Sequence, residues 1–168
     1  VKKNIKIPVA VKLSPFFSAI PNMAMQLDQA GAGGLVLFNR FYQPDIDVPS
    51  QQIRSVLSLS NPEDILLPLR WIAILHGQVD CSLALTSGVN TADDVLKAVL
   101  AGADVAQVAS ALLREGMGKL RQIVRDLETR MDELEMESIA AIRGKLSLQS
   151  HVEPAAFERV SYIKLLQS

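Results

Sequence analysis

The chain has little of several features that assign a sequence quickly to a class. It has one cysteine, Cys81, so no internal disulfide can form, and a lone thiol suits a reducing compartment. Its formal net charge is -1, which gives no electrostatic reason to expect nucleic acid or an anionic membrane as a partner. No apolar run reaches the ~18 residues of a membrane span. The start, Val1-Lys2-Lys3-Asn4, lacks the apolar segment of a signal peptide. We therefore expect a cytoplasmic protein with a small-molecule ligand.

Other chemical signatures are missing as well. The two histidines, His76 and His151, have no partners at metal-ligand spacing, so we predict no metal site. Cys81 has no neighbouring base and is interpreted as a small buried hydrophobe. No P-loop or dinucleotide-binding glycine motif opens a helix. The function must therefore be sought in the order of strands, turns and helices.

The composition allows a single domain with a real core. The chain has 168 residues, of which 49% are hydrophobic. A closed eight-stranded α/β barrel typically needs ~250 residues. Because the chain is shorter than that and begins with Val1, not Met, we interpret it as part of a longer polypeptide.

Four short apolar strands alternate with helical segments. Such alternation predicts a parallel sheet with right-handed crossovers. The predicted fold class is therefore α/β, with four β/α units forming half of a TIM (β/α)8 barrel and a helical C-terminal tail. The predicted strands are Val9–Leu13, Leu35–Phe38, Leu83–Thr86 and Val105–Ala109, and the predicted helices are Pro21–Ala30, one within Pro62–His76, and Ala92–Ala101. Residues 39–61 form a polar excursion, and Pro68 either starts or kinks the helix that follows.

Two local signals support these boundaries. Thr91 and Asp94 have the spacing of a capping box. The tripeptide Ala-Gly-Ala precedes the second strand at residues 30–32 and the fourth at residues 101–103. In both places glycine can end a helix in the left-handed conformation.

The C-terminal segment, residues 114–168, is predicted to be helical and packed on the barrel segment, residues 1–113. Its first helix carries one apolar stripe from Met117 to Leu134 at helical spacing. The stripe lasts under three heptads, which favours a packed face over a free coiled coil. Shorter helices are predicted to begin at Ser138 and after Pro154.

Small residues form the turns after the third and fourth strands. These turns read Ser87-Gly88-Val89 and Ala109-Ser110-Ala111. Small side chains let backbone N–H groups approach an anion, and the last two strand–helix loops of a (β/α)8 barrel frequently hold a phosphate. The two turns together predict a phosphate-binding cradle.

Lys12 lies near the end of the first strand. Period-two alternation puts it opposite Val9, Val11 and Leu13, so it should point to the barrel lumen near the mouth where active sites lie. A buried ammonium needs an anionic or hydrogen-bonding partner. The alternatives are a ligand contact and a lumen salt bridge without a ligand.

Asn39 and Arg40 follow the second strand at the same rim. An amide can bond a planar ligand in two directions, and a guanidinium offers a fork for carboxylate or phosphate. Loop capping and a surface ion pair are the alternatives. Gln107, on the fourth strand, either lines the lumen or meets the ligand.

Taken together, these segments resemble the C-terminal half of the dihydroorotate dehydrogenase family over about residues 5 to 113. The ordered set of matching segments, with its spacing, is fairly specific. The segments are PVAVKLSP from Pro8, GAGGLVLFN from Gly31, SGV from Ser87 with the following helix, and AGADVAQVASAL from Ala101. The run LVLFNRFYQPD with PLRWIA from Pro68 is similar to a dihydroorotate-dehydrogenase-like branch.

The resemblance implies an FMN-dependent oxidoreductase of pyrimidine biosynthesis or a relative of it. In the family pattern, Lys12 contacts the flavin ring system and Asn39 the substrate's pyrimidine-like edge. Ser87-Gly88-Val89 and Ala109-Ser110 would hold the FMN phosphate. The chemistry implied is removal of a proton and a hydride from adjacent carbons of a small cyclic substrate, with the hydride going to flavin N5.

The chain departs from the family pattern at several points. The family usually has Gly-Gly where Ser87-Gly88 stands, and Gly-Thr or similar in place of Ala109-Ser110. Arg40 replaces a small hydroxyl residue, which should alter the substrate pocket. The family's general base belongs to a segment that this chain lacks, so no residue here is assigned that role and the chain alone should not turn over.

Two alternatives stay open at this stage. A synthase or aldolase would use the cradle for a substrate phosphate and Lys12 as an acid, base or Schiff-base lysine. A non-catalytic half-barrel would pair its open sheet edges with another copy. Whether the protein is an oxidoreductase or an assembly module, we expect a homo-oligomer. We also expect the barrel to be completed by a missing N-terminal half or by a second chain.

Overall fold

A computed structural model of the protein describes residues 4–41 and 43–150. Its centre is a sheet of four parallel strands in the order β1-β2-β5-β6. The strands are β1 Ala10–Leu13, β2 Gly34–Leu37, β3 Pro44–Asp47, β4 Gln52–Ser55, β5 Ser82–Thr86 and β6 Val105–Gln107. The helices are α1 Ile20–Gln29, α2 Leu66–Leu75, α3 Ala92–Ala101, α4 Ser110–Glu115, α5 Gly118–Glu133 and α6 Ile139–Ile142, and a short 3-10 helix, Pro62–Ile65, precedes α2. The predicted alternation of four β/α units is confirmed.

The two faces of the sheet are covered unequally. One face carries leucines at alternate positions, and these are buried beneath the helices, with Leu35, Leu37 and Leu85 fully inaccessible. On the other face the register places Lys12 beside Val36. Lys12 is exposed there, and Val105 at the opposite edge retains 49% of its surface. Between these two edge positions, Val36 and Ala84 are 7% and 9% exposed. This face, open at its edges, is the one that would line the lumen of a barrel.

Local sequence explains the helix starts. At α3, Thr91 Oγ1 accepts from the N–H of Asp94 at 3.3 Å, and Asp94 Oδ2 accepts from the N–H of Thr91 at 3.0 Å, which confirms the predicted capping box. In α2, Pro68 is the third residue, where a missing N–H costs nothing because the first helical N–H groups have no intrahelical acceptor. Pro68 therefore lies in the first turn of α2, close to the start that the sequence predicts for it.

Glycine ends helices as predicted. Gly31 and Gly102 have φ of 86° and 116°. Gly102 has a second constraint, because a Cβ there would lie 2.4 Å from the ring of His76. A Cβ at Gly144 would lie 2.3 Å from the same ring. His76 therefore packs between two glycines, at the end of the sheet opposite the small-residue turns.

Two boundaries differ from the prediction. The excursion contains an antiparallel hairpin, β3 with β4, in which Ile46 lies opposite Ile53. These isoleucines are 68% and 78% exposed, the strands have only four residues each, and the residues between them lack the turn dipeptide that indicates a hairpin. The last strand stops at Gln107, because Ala109 already serves as the N-cap position of α4.

The C-terminal helices lie on the outside of the sheet's helical layer. Leu127 and Met131 of α5 pack against Leu96 and Val99 of α3. Burial along the rest of the stripe is uneven, because Ile123 is 3% exposed whereas Val124 is 49% exposed. Ser138 caps α6 by accepting from the N–H of Ala141. The boundary at residues 113/114 stays a prediction, and the helix predicted after Pro154 lies outside the described residues.

None of the helices in the described ranges is both long and apolar enough to traverse a lipid bilayer.

Candidate functional site

A cavity of about 210 Å³ lies at the carboxyl ends of the parallel strands. Parallel strands bring their carboxyl ends to one edge, which is where ligands bind in such sheets. All the residues predicted for the site line this one cavity: Lys12, Asn39, Arg40, Ser87, Gly88, Val89, Ala109 and Ser110. The other lining residues are Phe38, Ser58, Leu59, Ser60, Thr86, Gln107 and Leu113.

Lys12 faces the cavity from the open side of the sheet, as the strand period predicts. It is exposed, so the expectation of a buried ammonium is wrong for this structure. Lys12 lies on the edge strand β1, which pairs with a neighbour on one side only among the described residues. Among the described residues Lys12 forms no hydrogen bond or ion pair, so its charge is available to a ligand.

The turn after β5 has a left-handed backbone at two consecutive residues. Ser87 has φ of 83° and Gly88 has φ of 77°. A Cβ on Gly88 would lie 2.3 Å from the backbone nitrogen of Ile65, so close packing on the 3-10 helix requires glycine here. Ser87 tolerates a conformation that costs an L-residue roughly 1–2 kcal/mol. This backbone explains why glycine is usual at both positions in the family pattern.

Buried polar groups hold this turn in place. Asn90 Nδ2 donates to the carbonyl of Gly88 at 2.8 Å, and the N–H of Asn90 donates to Asp94 Oδ2 at 3.1 Å. Asn90 and Asp94 are 9% and 5% exposed. Val89 is buried in the main core, so it can offer a ligand only its backbone.

The turn after β6 is held by the excursion. The N–H of Ser60 donates to Ser110 Oγ at 2.9 Å, and the hydroxyl of Ser60 donates to the same oxygen at 2.8 Å. Arg114 donates through Nη2 to the carbonyl of Ser60 and through Nη1 to Asn90 Oδ1 at 3.3 Å. One arginine thus joins α4, the excursion and the turn after β5.

Arg40 is engaged by the protein. Its Nη1 bonds to Asp64 Oδ2, and its Nη2 donates to the carbonyl of Ser58 at 3.4 Å. The N–H of Asn61 also donates to Asp64, at 2.8 Å. Partial burial opposes ionisation of Asp64, but the Asn61 N–H and Arg40 outweigh it and lower the pKa of that carboxyl. The ion-pair alternative for Arg40 is the one the structure shows.

A second cavity of about 390 Å³ adjoins the first and shares Asn39, Arg40 and Ser87 with it. Its walls are more apolar, and the rings of Phe16 and Phe41 lie with centroids 5.6 Å apart. The two cavities together offer one end of small residues and hydroxyls and one end with a cation, amides and aromatic rings.

Residues outside the cavity have other roles. Burial, followed by a hydrogen bond and the charge of Asp28, raises the pKa of the Cys81 thiol to about 11, so the thiol stays protonated at neutral pH. Among residues 4–41 and 43–150, no three His, Cys, Asp or Glu side chains group in a way that could hold a metal ion.

Sequence reasoning missed the Ser58–Ser60 segment and Arg114. Nothing local marks Ser60, whose partner Ser110 lies 50 residues away. Arg114 carries a weak signal, since it stands four residues after Ser110 and hence on the same side of a helix.

Strands that alternate with helices and a cavity at the strand ends define a protein of the α/β-barrel class. A ligand-free DHODH from Eimeria tenella superimposes with a TM-score of 0.64 over 80% of this chain and 38% of that one. At 15% identity this likeness concerns the fold alone. The predicted fold, an α/β partial (β/α)8 barrel, is confirmed.

Sequence comparison makes the assignment more specific. The family model described as dihydroorotate dehydrogenase matches residues 1–131, and the chain belongs to this family. The predicted resemblance is thereby confirmed.

Two relatives illustrate the match, both called dihydroorotate dehydrogenase B (NAD(+)), catalytic subunit. The protein of Exiguobacterium sibiricum is 35% identical over 148 residues, which are 86% of this chain and 48% of that protein. The protein of Thermoplasma volcanium is 30% identical over 149 residues, with the same two shares. The chain thus spans about half the length of these curated relatives.

Proposed function

We propose that this chain supplies the FMN-binding part of a flavin-dependent oxidoreductase of dihydroorotate-dehydrogenase-like type. The observation that carries the proposal is the cavity at the strand ends, which gathers the residues that the family pattern assigns to flavin and substrate. In this assignment Ser87, Gly88, Val89, Ala109 and Ser110 hold the phosphate end. Lys12 serves the ring end.

The residues present fit such a cofactor. The phosphate end offers hydroxyls and the backbone of small residues, while the ring end offers an ammonium without a partner in the described structure. Asn39 and Gln107 are exposed amides beside it. Amides match the alternating donors and acceptors of a pyrimidine-like ring edge.

FMN, when bound, supplies a two-electron acceptor. Lys12 would place positive charge at the ring end, where it favours an electron-rich flavin through a Coulomb interaction that strengthens as water is excluded. Asn39 would orient a small cyclic substrate through its amide. Arg40, tied to Asp64, would shape the pocket wall without contacting the substrate as a free cation. We assign the proton-accepting base to no residue of this chain.

We further propose that additional β/α units complete the barrel, either from a longer form of the polypeptide or from a second chain. The described sheet ends in β1 on one side and β6 on the other, and Lys12 and Val105 on these edge strands are exposed. Open sheet edges favour association. With the additional β/α units in place, we expect a cytoplasmic oligomer that catalyses the reaction. The 168-residue chain alone should be inactive.

Titration of the purified 168-residue chain with FMN, followed by flavin fluorescence, tests the binding part of this proposal. Saturable quenching with a shifted flavin absorbance band supports it. Absence of binding at any accessible concentration contradicts it. Incubation of a phosphorylated carbonyl substrate with borohydride tests the aldolase alternative, which the family membership disfavours; a covalent adduct on Lys12 would revive it.

A non-catalytic half-barrel is the second candidate, and the half-exposed Val105 on the lumen face is the observation that favours it. Sedimentation with and without FMN separates the two. A two-fold dimer that forms equally without FMN and binds none of it supports assembly alone.

A further inference from the structure

The hydroxyl of Ser110 is held by Ser60. The N–H of Ser60 donates to Ser110 Oγ at 2.9 Å, and the two hydroxyl oxygens are hydrogen-bonded at 2.8 Å. A serine hydroxyl both donates and accepts, so the bond between the two hydroxyls can run in either direction. Ser110 lines the cavity, and a ligand that only accepts hydrogen bonds selects the direction in which Ser60 donates and Ser110 turns its own proton to the ligand.

Ser60 is fixed in this position from behind. It is 4% exposed, and its carbonyl accepts from Arg114 Nη2. The other arm of Arg114 reaches Asn90 Oδ1 at 3.3 Å, and Asn90 holds the carbonyl of Gly88. Arg114 is not among the residues that line the cavity. It therefore acts on a ligand only through the groups it holds.

We propose that Ser60 and Arg114 are positioning residues that place Ser110 as a donor to the anionic group of the ligand. Ser60 can supply both of its hydrogen bonds to Ser110 Oγ when Ser110 turns its proton to the ligand. Arg114 keeps Ser60 against Ser110 and also bonds Asn90, which holds the turn after β5. This inference rests on the proposed function and specifies its phosphate end.

The arrangement has a consequence for ligand selectivity. Phosphate oxygens only accept hydrogen bonds, so they select the orientation in which Ser110 donates, and a bond to a charged acceptor is about twice as strong as a neutral one. A flavin without the phosphate has nothing to receive that bond. Changes at Ser60 or Arg114 should therefore weaken FMN while leaving riboflavin unaffected.

The test compares dissociation constants of the full 168-residue chain for FMN and for riboflavin, measured by flavin fluorescence. Ser110→Ala should weaken FMN about tenfold, and Ser60→Ala and Arg114→Gln about three- to tenfold, with riboflavin unchanged in each case. Arg121→Gln, an exposed arginine on α5 outside this network, is the matched control and should change neither constant.

A double variant separates positioning from general support of the fold. In the Ser110→Ala background, Ser60→Ala should have no further effect on the FMN-to-riboflavin ratio, because the group it positions is gone. An equal loss in both backgrounds overturns the inference, as does an Arg114→Gln variant that weakens FMN and riboflavin alike.

Other outcomes are equally decisive. Should Ser60→Ala fail to fold, as judged by its thermal midpoint, Arg114→Lys carries the test, because it retains the charge but cannot serve both acceptors. A wild-type chain that binds both flavins equally overturns this inference and leaves flavin binding standing. A wild-type chain that binds neither overturns the proposed function as well.

Discussion

The two ends of the cavity are built in opposite ways. At the small-residue end, the polar groups of Asn90, Asp94, Ser60 and Ser110 are bonded to one another and mostly buried. At the other end, Lys12 is exposed and has no partner within the described part of the chain. A satisfied network stabilises the fold without a ligand, whereas a free cation contributes little to stability and is kept for binding. The comparison teaches that stability and ligand affinity should respond to different residues.

Gly88→Ala should break the bonded end and have the largest effect. The variant combines a left-handed φ with a Cβ 2.3 Å from the Ile65 nitrogen. We expect a loss of about 2–4 kcal/mol in the free energy of unfolding, measured with urea.

Gly118→Ala is the control for this variant. Gly118 is the first residue of α5, has no positive φ, and nothing lies within 4 Å of its Cβ position. With neither backbone strain nor a clash, it should be neutral or gain up to about 1 kcal/mol. A Gly88→Ala variant that behaves like Gly118→Ala would show that neither the positive φ nor the packing on Ile65 constrains the turn.

Lys12→Met tests the free end. Removal of an unpartnered, exposed charge should leave the free energy of unfolding within about 0.5 kcal/mol of the wild type. The same change should weaken FMN about tenfold, because the charge at the ring end is lost. Lys6→Met, at an exposed lysine outside the cavity, should change neither quantity. A strongly destabilised Lys12→Met would refute the contrast between the two ends.

Ser87→Gly should raise the free energy of unfolding, because it stabilises the bonded end of the cavity. Glycine relieves the cost of φ at 83°, offset in part by the entropy it adds to the unfolded chain. We expect a gain of about 0.5–1 kcal/mol in urea unfolding. Ser82→Gly, at the start of the same strand and without a positive φ, should destabilise instead. A loss at Ser87 would mean that its side chain contributes more than its backbone costs.

The smallest effect concerns Asp64, which lies on the wall between the two cavities. Its pKa is lowered below the ordinary 3.8, so the stability it contributes is full above about pH 4 and disappears as the pH falls through the lowered value. Asp64→Asn should therefore cost about 0.5 kcal/mol at pH 7 and less at pH 3. Urea unfolding at both pH values checks this. Asp132→Asn is the control, because that exposed side chain has no hydrogen bond or ion pair within residues 4–41 and 43–150. A cost that is the same at both pH values would contradict the assigned charge interaction.

Most of the fold was predictable because its signals are local. The period-two pattern of β1 placed Lys12 opposite Leu13, and the Thr91–Asp94 spacing marked the start of α3. The glycine at 102 marked its end. The β3–β4 hairpin was missed, because each strand has only four residues and the residues between them, 48–51, contain no Asn-Gly or Asp-Gly turn dipeptide.

For the site, strand order and alternation, both readable from the chain, fix which small residues and which lysine stand at the carboxyl ends of the strands. How these residues are held depends on the three-dimensional packing. Ser60 reaches Ser110 across 50 residues and Arg114 reaches Ser60 across 54. Contacts between segments so far apart depend on the packing of the whole excursion, which no local preference encodes. The same packing tied Arg40 to Asp64 and left Lys12 free.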